Sequence, residues 1–176
     1  LFMNKLLISF FLFMSCSHIE TRSPINNKSD TFMKRSAKKN KLMAASEQEL
    51  LSISAKKDSG NIYKTSPIGF LYSIKKGGKK GPLAKKGDLA KISYKIENLN
   101  HQLLYSQDEL GTINFLVDQE DLLPAIREGV KFLSKGDSGI FLFPSHLCYG
   151  YQGDREKIGS NQPLRITINL LSLSKK

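Results

Sequence analysis

Two neighbouring stretches decide the fold: residues 128–136 read EGVKFLSKG, and residues 143–154 read FPSHLCYGYQGD. The first stretch predicts the end of a short helix that begins near Pro124, because proline is tolerated in a first helical turn. Gly136 is expected to end this helix, and the second stretch then follows a short strand as a glycine-rich aromatic loop. Apolar residues recur at offsets of four and three along one side of the helix, at Ile126, Val130 and Leu133.

From about residue 61 onward, apolar and polar residues alternate with the period of two that is typical of half-buried strands. Four or five such strands predict an antiparallel sheet with one solvent-exposed face. A single short helix against this larger sheet requires the sheet to curl around it if both apolar surfaces are to be buried. We therefore predict an α+β fold in which a curled antiparallel sheet wraps around one short helix. The alternation covers residues 70–75, 90–97, 140–143 and 164–170.

The amino-terminal residues 1–16 predict an export signal. A positive residue precedes a nearly uninterrupted apolar run of nine residues (6–14). A run of this length is too short to cross a hydrocarbon core of about 30 Å, so a permanent membrane span is not expected. Ser15 before Cys16 indicates lipoprotein processing, which makes Cys16 the candidate lipidation site. The alternatives are an ordinary secretory signal with Cys16 incidental, or translation that begins at Met3.

Residues 17–45 are rich in Ser, Asn, Lys and Arg and predict a disordered tether, since they bury too little apolar surface to offset the entropy of ordering. Residues 46–60 predict a helix. They open with SEQE, a capping-box pattern, and the helix is expected to run to about Lys57. Leu50 and Ile53 mark a narrow apolar side, by which the helix either packs on the domain or acts as a spacer. Residues 61–176 then form the folded domain.

The net charge of +11 indicates a solvated basic loop rather than a nucleic-acid site. The lysines of residues 75–86 lie around glycines in the connection between two predicted strands, and the remaining excess is spread along the chain. We therefore expect no nucleic-acid partner; anionic lipid headgroups are the alternative, at about 1 kcal/mol per basic residue near the surface. If Cys16 carries lipid, Cys148 has no partner in the chain, and we expect it to be a small buried hydrophobic residue.

A series of short motifs runs in order from about residue 68 to residue 173. It consists of ISY at 92–94, INFLV at 113–117, LL at 122–123, IREGV at 126–130, FPS at 143–145, YG at 149–150 and the final segment 158–171. This series resembles that of FKBP-type peptidyl-prolyl cis-trans isomerases. A narrower set is LYS at 104–106, ELG at 109–111, FLFPS at 141–145 and YGY at 149–151. This set resembles the gliding-motility-associated isomerase lipoproteins of the Bacteroidetes, which also carry a lipoprotein signal and a preceding helix.

The resemblance implies a peptidyl-prolyl isomerase that assists the folding of exported, proline-containing polypeptides in the bacterial envelope. It implies a monomer that is lipid-anchored to a membrane and faces the periplasm, with a link to gliding motility and with no cofactor or metal. The implied catalytic residues are Tyr94, Leu123 and Tyr149, of which the Leu123 amide and the Tyr149 hydroxyl donate hydrogen bonds to the substrate chain. The implied substrate-binding residues are Leu104, Tyr105, Ile113, Phe115, Leu122, Ile126, Ile158 and Ile166.

Four positions depart from the family pattern. Active members commonly have Phe-Asp where this chain has Leu104-Tyr105, tryptophan where it has Ile126 and phenylalanine where it has Ile166. The tryptophan forms a large flat floor of the pocket in active members, and its replacement by Ile126 weakens stacking against a proline ring. Loss of the aspartate removes a hydrogen-bond acceptor that orients pocket groups. Two functions therefore follow from the sequence: an isomerase, or a weakly active or inactive FKBP-like chaperone or binding module in an envelope machinery.

Overall fold

The structure is a computed structural model that describes residues 29–77 and 81–175. The chain divides into two units between residues 38 and 39, and every contact discussed below lies within the second unit. The predicted signal 1–16 lies outside the described residues. The elements are helix α1 (Ser29–Lys57), β1 (Lys64–Thr65), β2 (Leu71–Lys75), β3 (Leu89–Asn98), β4 (Leu103–Tyr105), α2 (Gln107–Leu110), β5 (Thr112–Leu116), α3 (Pro124–Val130), β6 (Ser138–Phe143), a 3-10 helix (Ser145–Leu147) and β7 (Leu164–Ser174).

The described strands form one antiparallel sheet in the order β1-β2-β6-β7-β3-β4, with β5 also paired to β3. The pairing of β3 shifts register between Ile96 and Glu97 against β4, and between Lys91 and Ile92 against β7. Such irregularities bend a strand and increase its twist. The predicted fold class, a curled antiparallel sheet around one short helix, is confirmed.

Helix α3 supplies the centre of the hydrophobic core. Ile126, Val130 and Leu133 are buried, and they belong to one hydrophobic cluster with Phe70, Phe141 and Phe143. The predicted end of the helix at Gly136 is wrong: α3 ends at Val130. The amides of Phe132 and Leu133 bond carbonyls three residues back, so the chain tightens into a turn that buries Leu133 and leaves the helix.

Gly129 lets α3 lie against the sheet at close range. A Cβ atom at this position would stand 2.9 Å from Cδ1 of Ile168 and 3.3 Å from Cζ of Phe143. Both neighbouring side chains are fully buried, so neither has free space into which to move. The glycine therefore sets the distance between the helix and strands β6 and β7.

Helix α1 begins much earlier than the sequence predicted. It starts at Ser29 rather than Ser46, so residues 29–45 are helical and not a disordered tether. The predicted end at Lys57 is confirmed. The predicted helix start at Ser46 is wrong, since α1 continues through it. The rest of the predicted tether, residues 17–28, lies outside the described residues.

The carboxyl-terminal half of α1 packs on the domain by a different face from the predicted one. Leu51 is fully buried in a small second cluster with Leu71 and Leu142, whereas Leu50 and Ile53 are largely exposed. The Ser54 hydroxyl donates to the carbonyl oxygen of Leu99 at 3.0 Å. The choice left open by the sequence is thus resolved: this part of α1 is not a free spacer.

A buried ionic group adjoins this second cluster. The Arg165 guanidinium contacts carboxylate oxygens of Glu97 and Asp58. Asp58 also accepts a hydrogen bond from the Tyr63 hydroxyl at 2.8 Å. Because a buried charge is costly unless it is paired, this network stabilises one arrangement of the segment after α1. Within the described ranges, no helix is long and apolar enough to cross a membrane.

We expect Leu51→Ala to lower the free energy of unfolding by about 2–5 kcal/mol, the usual loss when a buried leucine is truncated. Leu50→Ala is the matched control on the same helix. Its side chain is 46% exposed against 0% for Leu51, so its loss is expected to be below about 1 kcal/mol. Urea unfolding of the two variants measures both values, and equal losses would contradict the packing of α1 on the domain.

Candidate functional site

The residues that the resemblance implied lie together in the structure, within the main hydrophobic cluster. Strands β3, β4, β5 and β7, the start of α3 and the loop after β6 all contribute. The members differ in accessibility, since some are buried and others are partly exposed. The buried members are Phe115, Ile126, Ile158 and Ile166, and the partly buried ones are Tyr94, Leu104, Tyr105, Ile113, Leu122, Leu123 and Tyr149.

The backbone amide of Leu123 is a donor without a partner in the described part of the chain. Leu123 is the N-cap of α3, and its carbonyl oxygen accepts from the amides of Ile126 and Arg127. Pro124 follows at the first helical position and has no N–H. The first turn of α3 therefore presents the Leu123 amide as the available donor beside the apolar surface.

The Tyr149 hydroxyl is a second donor that makes no hydrogen bond to another described residue. The ring is partly buried in the loop after the 3-10 helix. Burial, and then the nearby Tyr94, Asp154 and Cys148, raise the pKa of Tyr149 above its ordinary value. The hydroxyl is therefore protonated at neutral pH and can donate to a carbonyl oxygen.

Tyr105 finds its acceptor in a loop residue that the sequence did not indicate. Its hydroxyl donates to Oδ2 of Asp154 at 2.5 Å, across 49 residues of chain. Asp154 Oδ1 accepts the amides of Glu156 and Ile158 at 2.8 Å. Partial burial acts to raise the pKa of Asp154, but the bonds from Tyr105 and the loop amides outweigh it and lower that pKa. Asp154 thus supplies a carboxylate to the site, where the family pattern has an aspartate at the position of Tyr105.

A lysine completes the link between β4 and this loop. Lys157 Nζ lies 4.5 Å from the ring centroid of Tyr105 and 2.7 Å from Oε1 of Glu109. Glu109 is also part of a capping box with Ser106 at the start of α2. The bond from Lys157, together with those from Ser106, lowers the pKa of Glu109 to about 2. The loop is therefore tied to β4 and α2 by a cation–π contact and an ion pair as well as by Asp154.

Cys148 is buried, as predicted, and is a poor nucleophile. Burial and then the charge of Glu47 raise the pKa of its thiol, so the reactive thiolate is scarce. The residues that the structure describes also contain no group of three or more His, Cys, Asp or Glu arranged to hold a metal ion. The apolar side chains of this site and its two donors can desolvate a bound chain and hydrogen-bond to it.

Two glycines shape the loop, and they differ in one respect. Gly150 and Gly153 both have positive φ, of 56° and 65°. A Cβ atom on Gly150 would meet nothing within 4 Å, whereas one on Gly153 would lie 2.3 Å from the carbonyl oxygen of Ile158. The amide of Asp154 bonds that same oxygen. The chain at Gly153 therefore cannot carry a side chain without breaking the contact that closes the loop.

Gly150→Ala is expected to cost about 1–2 kcal/mol of stability, the strain of an L-residue in the left-handed region. Gly153→Ala should cost more, because the backbone must also move away from Ile158. Urea unfolding gives the two costs, and amide hydrogen exchange at Ile158 reports the loop itself. Equal costs with unchanged exchange would show that the close approach at Gly153 is unimportant.

Comparison with known proteins gives the family and the fold. Residues 81–171 match the family described as FKBP-type peptidyl-prolyl cis-trans isomerase. Over 111 residues the chain is 31% identical to the probable FKBP-type peptidyl-prolyl cis-trans isomerase FkpA of Neisseria meningitidis serogroup B. The match covers 62% of this chain and 40% of that protein, so the chain spans well under half the length of this relative.

Two solved structures share the fold. The crystal structure of FkpA from Escherichia coli has a TM-score of 0.60 at 23% identity, covering 98% of this chain and 82% of that one. A peptidyl-prolyl cis-trans isomerase from Pseudomonas syringae pv. tomato has a TM-score of 0.60 at 18% identity, covering 77% and 96%. At these identities the two structures support the fold alone.

Proposed function

Because the chain belongs to the family of FKBP-type peptidyl-prolyl cis-trans isomerases, we propose that it catalyses rotation about the amide bond that precedes proline in polypeptide substrates. The observation that carries this proposal is the pair of free donors in one apolar cluster. The Leu123 amide and the Tyr149 hydroxyl both lack a partner among the described residues. Donors left free at a partly exposed apolar surface are suited to the carbonyl oxygens of a bound chain.

The reaction needs a change in relative stability rather than a covalent step. A planar prolyl amide is stabilised by resonance, and its rotation takes tens to hundreds of seconds without a catalyst. Contact with the apolar surface removes water that favours the polar planar form, while the two donors hold the substrate backbone. An acceleration of a thousandfold requires about 4 kcal/mol of preferential stabilisation of the twisted amide.

Tyr149→Phe is expected to lower kcat/KM about tenfold, which corresponds to the loss of about 1.4 kcal/mol from one hydrogen bond in the transition state. Its stability should change by less than about 0.5 kcal/mol, because the hydroxyl has no described partner in the protein. Tyr151→Phe is the matched control, since Tyr151 lies two residues away and is 80% exposed. NMR exchange on an X-Pro peptide gives the rates, and a Tyr149→Phe variant as fast as the control would exclude the hydroxyl from catalysis.

A second candidate function is a binding module that retains the fold with little or no catalysis. The observation that favours it is the aliphatic floor: Ile126 is 2% exposed beneath the partly exposed surface, and the chain contains no tryptophan. An aliphatic side chain offers less flat area to a proline ring than an indole does. The same exchange assay decides between the two functions, because a module would show no acceleration at high protein concentration and would still bind unfolded polypeptides.

We further propose that the protein acts in the bacterial envelope, anchored by lipid on Cys16 and facing the periplasm. The support is the sequence of residues 1–16, with its apolar run and small residue before the cysteine. Its clients would be exported polypeptides that contain proline. The motifs at 104–106, 109–111, 141–145 and 149–151 support a place among the gliding-motility-associated isomerase lipoproteins of the Bacteroidetes.

Growth with a radioactive fatty acid tests the anchor. We expect the wild-type protein to be labelled and to sediment with membranes, and Cys16→Ser to lose both properties because its hydroxyl cannot form the thioether. Cys148→Ser is the control, since its thiol is buried, and it should keep the label. Equal labelling of wild type and Cys16→Ser would contradict lipidation at Cys16.

A further inference from the structure

A buried carboxylate on helix α1 holds the turn that carries Tyr149. Glu47 is 6% exposed, and its Oε2 accepts the amide of Ser145 at 2.8 Å while Oε1 accepts the Ser145 hydroxyl at 2.6 Å. The two residues are 98 positions apart in the chain. Ser145 is the first residue of the 3-10 helix, and the preceding Pro144 makes no side-chain cap. Glu47 therefore does from α1 what a capping side chain normally does locally.

Ser145 is also the point on which the turn closes. Its carbonyl oxygen accepts the amides of Cys148 and Gly150, both at 2.9 Å. The Gly150 carbonyl oxygen in turn accepts the amide of Asn161, which lies beyond the Asp154 loop. Tyr149 stands between the two amides that Ser145 binds. The backbone position of Tyr149 thus depends on Ser145, and Glu47 in turn holds Ser145 through the Ser145 amide and hydroxyl.

The Glu47 carboxylate is held by an amide and a hydroxyl of the turn. Among the described residues it has no cationic partner, so these two bonds offset the cost of its burial. Glu47 and Ser145 also line an open surface pocket of about 200 Å³, together with residues that include Met43 and Tyr151. The two bonds therefore connect α1 to the turn at the edge of this pocket.

We propose that Glu47 is a positioning residue for the isomerase reaction, which holds the Tyr149 hydroxyl in place through Ser145, so that helix α1 completes the active site. This inference rests on the proposed function. It assigns to a helix outside the family match at residues 81–171 a direct part in catalytic geometry.

The test compares Glu47→Ala and Glu47→Gln with Glu49→Gln in the full chain. Glu49 is exposed on the same helix and is the matched control. We expect Glu47→Ala to lower kcat about tenfold with little change in KM, since a small displacement of a catalytic group has a large effect on rate. Glu47→Gln keeps the shape and one good acceptor and should restore part of the rate. Glu49→Gln should match wild type.

A double-mutant cycle separates positioning from general stability. If Glu47 acts through the Tyr149 hydroxyl, Glu47→Ala should have little further effect on kcat in a Tyr149→Phe background. Equal effects in both backgrounds, or a change in unfolding alone with normal kcat, would overturn the proposal. If Glu47→Ala fails to fold, the same double-mutant cycle with Tyr149→Phe is measured for Glu47→Gln and for Ser145→Ala.

Amide hydrogen exchange distinguishes failure of this inference from failure of the proposed function. Glu47→Ala should speed exchange at Cys148 and Gly150, whose amides bond Ser145, whether or not the protein is an isomerase. No acceleration by wild type would reject the proposed function. Unchanged exchange at these two amides in a folded Glu47→Ala variant would reject the positioning role by itself.

Discussion

The contact of helix α3 with the sheet at Gly129 governs the arrangement of the whole site. A Cβ atom at this position would lie 2.9 Å from Cδ1 of Ile168 and 3.3 Å from Cζ of Phe143, so a larger residue would force these buried side chains or the helix to shift. The sheet can then close around α3 with a fully packed interior. The first turn of the same helix carries Leu123, whose amide is the free donor. Core packing and the placement of the Leu123 amide thus both depend on the absence of a side chain at Gly129.

The alternating strands and the short helix could be predicted because their pattern is local and repeats within each element. The length of α1 and the identity of its buried face could not be predicted. A Ser-x-x-Glu pattern occurs at residues 46–49 and again at 106–109, yet only the second forms a capping box at a helix start. Residues 29–45 contain no glycine or proline and are rich in good helix formers, so α1 runs through the first pattern. Its buried face consists of Glu47, Leu51 and Ser54, and two of these three are polar residues that a hydropathy pattern does not count.

The apolar part of the site could be placed by the order of motifs along the chain, since each side chain follows from its strand or helix. The polar contacts could not be placed in this way. Asp154 meets Tyr105 across 49 residues and Glu47 meets Ser145 across 98, in both cases through a loop whose path has no periodic signal. Tyr105 in β4 thus stands where the family pattern has an aspartate, and its hydroxyl reaches a carboxylate in the loop.

The burial of Cys148 makes the turn observable without any added label. Its thiol lies directly before Tyr149 and is almost inaccessible, and its pKa is raised by that burial. A maleimide can alkylate it only after the turn has opened, because opening both admits the reagent and allows the thiolate to form. In a chain that carries serine at Cys16, the alkylation rate thus reports the local opening of the segment that holds Tyr149.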